Sequence, residues 1–286
     1  MPALEKKKFR IVNSDKNNSA IESGKFIDLF DQQGLYNFLR KHNPDYILHL
    51  AAITNTTHPD PRAYYETNVI GTLNLLKSIG DLKKVPRHII LASSANIYGN
   101  QSGEIITEDT EVDPVNHYAA SKLAMELMAK QWQNQLPITI VRPFNYTGVG
   151  QSENFLIPKI VSHYKETAKS IKLGNLNVSR DFSDVRFVVD AYLRLLDNNK
   201  AIGKTINICS GKSYSIQNIL DLCEKYTGHS LDVNIDPSLV RVNEVKNLLG
   251  APDLLNFYAP NLPQITLENT LRWMLQGSLD KWSNEK

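Results

Sequence analysis

Along the first half of the chain, short apolar runs alternate with amphipathic stretches. Residues 9–12 (FRIV) and 25–29 (KFIDL) read as short strands, and 46–51 (YILHLA), 88–93 (HIILAS) and 138–141 (ITIV) as buried ones. Between them, 34–41 (GLYNFLRK) carries Leu35, Phe38 and Leu39 on one helical face, 64–79 carries Val69, Leu73, Leu76 and Ile79 at the same spacing, and 116–133 is a long helix. Strands that are apolar on both faces, separated by helices, predict an α/β fold with a doubly wound parallel sheet. After Pro143 the pattern changes. Polar loops at 145–151 and 174–180 alternate with helices over 155–165, 184–197 and 215–226, and 205–209 (TINIC) is one more strand. The expected organisation is a first domain over 1–143, to which 182–211 returns, and a smaller α/β domain over 144–286. An open parallel sheet binds ligands at the carboxyl ends of its strands, so a ligand cleft is expected there.

Composition narrows the class. A chain of 286 residues with 42% apolar residues has ample material for a core and is not a disordered protein. With 32 Lys+Arg against 30 Asp+Glu the net charge is +2, which offers nothing to nucleic acid. The only dense basic run, Lys6-Lys7-Lys8, reads as a solvated helix face. Cys209 and Cys223 are too few for a disulfide framework and point to a reducing compartment. Apolar stretches such as 46–53 fall far short of the roughly 20 residues that span a bilayer. The start MPALEKKKF has no apolar signal region. A cytoplasmic globular protein without a metal is expected.

The strongest chemical signal is Tyr118-Ala-Ala-Ser-Lys122 on a predicted helix. Spacing i, i+4 puts the phenol and the ammonium on one face. A phenol of pKa near 10 is a poor acid or base at neutral pH, and a nearby cation lowers that value. Alone, this spacing usually marks an ordinary exposed pair. Here it follows a buried strand that ends in Ser93-Ser94-Ala95-Asn96, where a hydroxyl at the strand's carboxyl end can hydrogen-bond a substrate oxygen. The strand before that ends in His49-Leu50-Ala51-Ala52, whose small residues admit close approach of a cofactor, and Asn68 follows on the next helix.

In this order and spacing the chain resembles the extended short-chain dehydrogenase/reductases that modify nucleotide sugars. The resemblance implies a Rossmann-type domain holding NADP or NAD, a Ser–Tyr–Lys catalytic set, and a C-terminal domain holding a nucleotide diphosphate sugar. Carried over, Ser94 and Tyr118 contact the sugar carbonyl oxygen, and Lys122 contacts the nicotinamide ribose and lowers the pKa of Tyr118. Asp28 and Leu29 match the family's pair near adenine. Leu50, Ala51, Ala52 and Asn68 fall on the cofactor side, as does Asp15, whose carboxylate would favour NAD, although Lys16 beside it could hold a 2′-phosphate. The segments 142–151 (RPFNYTGVGQ), 174–176 (GNL), 180–185 (RDFSDV) and 207–211 (NICSG) resemble GDP-4-dehydro-6-deoxy-D-mannose reductases in particular. That likeness implies phosphate or nucleotide contacts for Asn145 and Asn175, pyrophosphate contacts for Arg180 and Arg241, and ribose contacts for Glu244. It also implies a homodimer through the helices at 64–79 and 116–133, a GDP-linked deoxyhexose substrate, and a place in surface-polysaccharide (lipopolysaccharide) biosynthesis.

Two departures matter. The family's N-terminal strand and GxxGxxG turn are absent, since no Gly precedes Gly24. The expectation is that an upstream unit of roughly 20 residues, one strand, a turn and part of a helix, is missing. Without it, a non-catalytic nucleotide-sugar binding protein is the reading from another class. Second, related 4,6-dehydratases carry a Thr-x-Glu triplet, where this chain has Ser94-Ala95-Asn96. An amide is no general acid or base, so carbonyl reduction to GDP-D-rhamnose or its C4 epimer is expected over dehydration, with a sugar 4-epimerase the remaining alternative.

Overall fold

The computed structural model describes residues 9–12, 27–101, 105–240 and 245–277. They form two compact units: the described residues within Met1–Ile97, Val112–Arg142 and Tyr192–Ile206, and those within Tyr98–Glu111, Pro143–Ala191 and Asn207–Lys286.

In the first unit, helix α1 (Gln32–His42) opens where the Asp31 carboxylate accepts the Gly34 N–H, and ends at Asn43 in the left-handed region, φ 43°. Its last turn carries Arg40, Lys41 and His42, cations that complement the helix dipole. Strand β1 (Tyr46–His49) follows. The next helix is continuous in backbone but changes winding: α2 (Arg62–Tyr65), a π-helical segment (Glu66–Gly71), then α3 (Thr72–Gly80). Strand β2 (His88–Ala92), helix α4 (His117–Lys130), strand β3 (Ile138–Pro143) and strand β7 (Thr205–Ile208), whose last two residues are counted with the second unit, complete the frame. The sheet order is β1-β2-β3-β7, with β1 parallel to β2 (His49 opposite Leu91) and β2 parallel to β3 (Leu91 opposite Ile140). Leu35, Leu39, Leu75, Leu76, Ile79, Met125 and Ala129 from the helices bury Ile89, Leu91, Ile138 and Ile140 of the sheet.

Two of the predicted strands are not observed. Residues 9–12 form none, and in 25–29 the described part, Ile27 to Leu29, is irregular and enters a turn. An extended segment needs a ladder partner for its backbone, and none is paired with these among the described residues. Ile27 and Leu29 instead pack their side chains on the helical core.

The second unit contains β4 (Asn145–Thr147), α5 (Leu156–Lys165), β5 (Ser170–Leu173), β6 (Ser179–Asp184), α6 (Val185–Asp197), β8 (Ser213–Ser215), α7 (Ile216–Thr227), β9 (Asp232–Ile235), β10 (Asn247–Leu248), α8 (Asp253–Tyr258) and α9 (Leu267–Gln276), of which α6 is shared with the first unit. Strand β6 lies between β10 and β4 and also pairs with β8, while β5 pairs with β9. Ile157, Ile160, Ile216, Ile219, Leu220, Leu267 and Leu271 from α5, α7 and α9 form its core. The expected loops at 145–151 and 174–180 are therefore partly strand. Those strands are three to six residues long and rich in polar residues, so they show no apolar run.

One buried ion pair ties α4 to β3. The Arg142 guanidinium grips Glu126 with two hydrogen bonds, Nε to Oε1 at 3.0 Å and Nη2 to Oε2 at 2.8 Å, and Glu126 is wholly buried. Glu126→Ala strands a buried cation, and urea unfolding should register a loss of about 3–5 kcal/mol. The double replacement of Glu126 and Arg142 by Met should recover most of it; a single variant as stable as the parent would refute this role.

Candidate active site

The site begins where β2 ends. Ser93 continues the ladder, its N–H donating to Val141 O at 2.8 Å. The chain then winds into a 3-10 turn, Ala95–Tyr98. Ser94 Oγ accepts the Asn96 N–H at 3.2 Å, which fixes that hydroxyl at the end of the strand. Ser93 Oγ is buried and has no hydrogen-bond partner among the described residues.

Helix α4 supplies the other two members of the expected catalytic set. Asn116 caps it, its side-chain oxygen accepting the Ala119 N–H at 2.9 Å, so Tyr118 stands in the first turn and Lys122 one turn later. Both are buried, Tyr118 at 7% and Lys122 at 4% exposure. The Lys122 ammonium donates to Ala92 O at 2.7 Å. It therefore reaches the last carbonyl of β2, beside the Ser93–Ser94 pair. Burial pushes the Lys122 pKa down to about 8, against the pull of Glu126 one turn further along. Ser94, Tyr118 and Lys122 all belong to the first unit.

A chain of hydrogen bonds braces this end of the sheet. Asn68, in the π-helical segment, is 1% exposed. Its amide oxygen accepts Ile53 N–H at 2.9 Å, and its amide nitrogen donates to Ile53 O at 3.2 Å and to Ser121 Oγ at 2.9 Å. Ser121 in turn donates to Tyr118 O at 2.8 Å. Asn68 was expected on the cofactor side; in this structure its amide is enclosed, and it clasps the loop after β1 to helix α4. The small buried residues Ala119 and Ser121 allow that close approach.

His49, at the end of β1, joins the same network through Nε2 and Thr72 Oγ1, 2.9 Å apart. The Thr72 hydroxyl gives its one proton to Asn68 O at 2.8 Å. The imidazole must therefore donate from Nε2, an assignment made from the network. Burial, and then the Lys122 charge, push its pKa down to about 3. His49, Thr72, Ser121 and Ser93 were not singled out as site residues in the sequence; their only signal is position, at strand ends or one helical turn from Asn68 and Tyr118.

The remaining expected residues fall as follows. Leu50, 53% exposed, and Ala51 are exposed beyond β1, with Ala52 half-buried. Asp28 is exposed and accepts the Phe30 N–H at 2.9 Å, while Leu29 packs on Gly71 of the π-helical segment. In the second unit, Asn145 opens β4, Asn175 is half-buried in the loop after β5, and Arg180 on β6 donates to Ser179 O and Lys246 O at 3.0 and 3.1 Å. Asp15, Arg241 and Glu244 lie outside the described residues. Among the described residues no cluster of His, Cys, Asp and Glu could hold a metal, and no helix is long and apolar enough to cross a membrane.

The buried cation makes stability depend on pH. A lysine ordinarily titrates near 10.5, and in the folded chain near 8. Between those values the unfolded chain keeps a proton that the folded chain has released, so stability contributed by this site rises with pH. The stability of Lys122→Met relative to the parent, from urea unfolding, should be greatest below pH 8 and shrink by about pH 10; a difference independent of pH would show that the ammonium is solvated. NMR of the His49 ring should find it neutral, with the proton on Nε2, throughout the range in which an ordinary histidine titrates.

Comparison with known proteins gives these features a setting. The family model described as GDP-mannose 4,6 dehydratase matches residues 5–272. A GDP-6-deoxy-D-talose 4-dehydrogenase from Aggregatibacter actinomycetemcomitans is 39% identical over 230 residues, covering 80% of this chain and 78% of that protein. A GDP-6-deoxy-D-mannose reductase from Pseudomonas aeruginosa is 32% identical over 243 residues, covering 81% and 79%. The solved structure of RMD from Pseudomonas aeruginosa complexed with NADPH superposes with a TM-score of 0.79 at 30% identity, covering 91% of each chain. With its parallel sheet, its Tyr118–Lys122 helix and a match that spans nearly its whole length, the chain belongs to the GDP-mannose 4,6-dehydratase family of epimerase/dehydratase-type short-chain dehydrogenase/reductases.

Proposed function

We propose that this protein is an NAD(P)-dependent oxidoreductase that interconverts ketone and alcohol at C4 of a GDP-linked 6-deoxyhexose, reducing GDP-4-dehydro-6-deoxy-D-mannose to GDP-D-rhamnose or its C4 epimer. The observation that carries the reading is the buried Lys122 ammonium, one helical turn from the Tyr118 phenol and bonded to the carbonyl that precedes Ser93 and Ser94. The names of the two relatives support the substrate class, since both act on GDP-6-deoxyhexoses. Asn96 stands where a dehydratase needs a carboxylate, which favours reduction over water loss.

The residues at the end of β2 fit a nicotinamide nucleotide. The Lys122 ammonium uses a donor on Ala92 O and has three to give, and the loop at Ala51 and Ala52 presents little side chain. Bound there, NADPH or NADH supplies a hydride to C4, or the oxidised form accepts one. In the reducing direction Tyr118 gives its phenolic proton to the C4 oxygen, and Ser94 donates a hydrogen bond to that oxygen as negative charge develops on it. Lys122 stabilises the phenolate that remains, in a site of low dielectric where its charge acts strongly. Asn145, Asn175, Arg180, Arg241 and Glu244 are the residues for the GDP moiety, the arginines because a guanidinium fork suits a diphosphate.

A homodimer acting in the cytoplasm, in the supply of sugars for surface polysaccharide, goes with this reading. Tyr65, Ile70 and Leu127 are 37%, 45% and 56% exposed on the helices through which a second copy would pack.

The test is product analysis after incubation with a GDP-4-dehydro-6-deoxy-D-mannose source and NAD(P)H. A C4-reduced GDP-6-deoxyhexose is expected; binding of the GDP-sugar without cofactor oxidation would leave only a binding protein. Tyr118→Phe should lower kcat by about 10²–10⁴-fold while GDP-sugar affinity, by calorimetry, stays within a few-fold. Full turnover in that variant would refute the assignment.

A further inference from the structure

Ser93 is the unexplained residue at the end of β2. Side chains alternate along a strand, and Ile89 and Leu91 face the helical core of α3 and α4. Ser93, two residues on, continues that face just past its last apolar member. Its backbone N–H is spent in the ladder with Val141, yet its hydroxyl, on a residue only 3% exposed, has no partner among the described residues. A hydroxyl buried without a hydrogen bond costs stability in the free protein, a cost that a bound ligand relieves by supplying the partner. The Lys122 ammonium lands on the same peptide unit, at Ala92 O, from the same helical side. In the parallel register the residue of the β1 chain beyond His49 that corresponds to Ser93 is Ala51, whose methyl leaves the approach open.

We infer that Ser93, not only Ser94, is a ligand-binding residue: its hydroxyl completes, with Lys122, a two-point hydrogen-bonding site for the vicinal diol of the nicotinamide ribose. The two serines then divide the work by strand alternation, Ser93 toward the helical face and the cofactor, Ser94 toward the substrate oxygen. This inference rests on the proposed NAD(P)-dependent reaction.

Ser93→Ala removes an uncompensated polar atom from the free protein and a hydrogen bond from the complex, so the two states respond with opposite sign. Thermal unfolding of the cofactor-free variant should give a Tm equal to or above that of the parent. Fluorescence titration with NADPH and NADH should show Kd raised about 3- to 10-fold, the worth of one neutral hydrogen bond, with GDP-mannose affinity unchanged. Ser93→Cys, which fills the same space but hydrogen-bonds weakly, should follow Ala in cofactor affinity and the parent in packing. A lower Tm with unchanged cofactor Kd in both variants would make the hydroxyl structural and overturn the inference while leaving the proposed function standing. A parent protein that binds neither cofactor would overturn both.

Discussion

One charge organises the first unit. The Lys122 ammonium is held at 4% exposure, at the end of a sheet whose buried strand residues are mostly apolar. Taking a cation out of water is expensive, so its surroundings are built to bear it. Ala92 O accepts from it, Glu126 lies one turn away, and Glu126 is in turn locked by Arg142. His49, the nearest basic group on β1, is kept neutral by burial and by that same charge. A lysine suits this position where an arginine would not: its charge is compact, and its pKa yields to burial, here to about 8.

The clasp through Asn68 gives the arrangement its geometry. By winding as a π-helix over Glu66–Gly71, the helix turns one amide toward both Ile53 and Ser121. Ser121 holds the carbonyl of Tyr118, so the loop after β1 and the first turn of α4 share a single side chain. The chemistry proposed for Tyr118 and Lys122 depends on that fixed spacing, because a proton donor that drifts loses most of its effect.

Much of this was legible in the sequence. Strands β1, β2, β3 and β7 declare themselves because they are short apolar runs between amphipathic helices, and Tyr118–Lys122 declares itself because its geometry is local to one helix. What was not legible depends on distant partners. Residues 9–12 look like a strand but pair with no strand among the described residues, and the polar strands β4, β6 and β8 exist only because they have neighbours. The bonds of Asn68 to Ile53 and Ser121 were not legible either, because nothing in a linear pattern reveals a π turn. The family's model is described by a dehydratase activity, but the fold leaves the reaction open; the proposed reduction rests on Asn96, whose amide cannot act as a general acid or base.

The most direct test is to remove the charge and follow alcohol oxidation, the direction in which Tyr118 must act as a base. With Lys122→Met, a GDP-6-deoxyhexose and saturating oxidised cofactor, the account predicts kcat at neutral pH reduced by about 100-fold or more, rising with pH toward the ordinary phenol value near 10. A variant that oxidises the sugar at the parent rate, with the parent's pH profile, would contradict it.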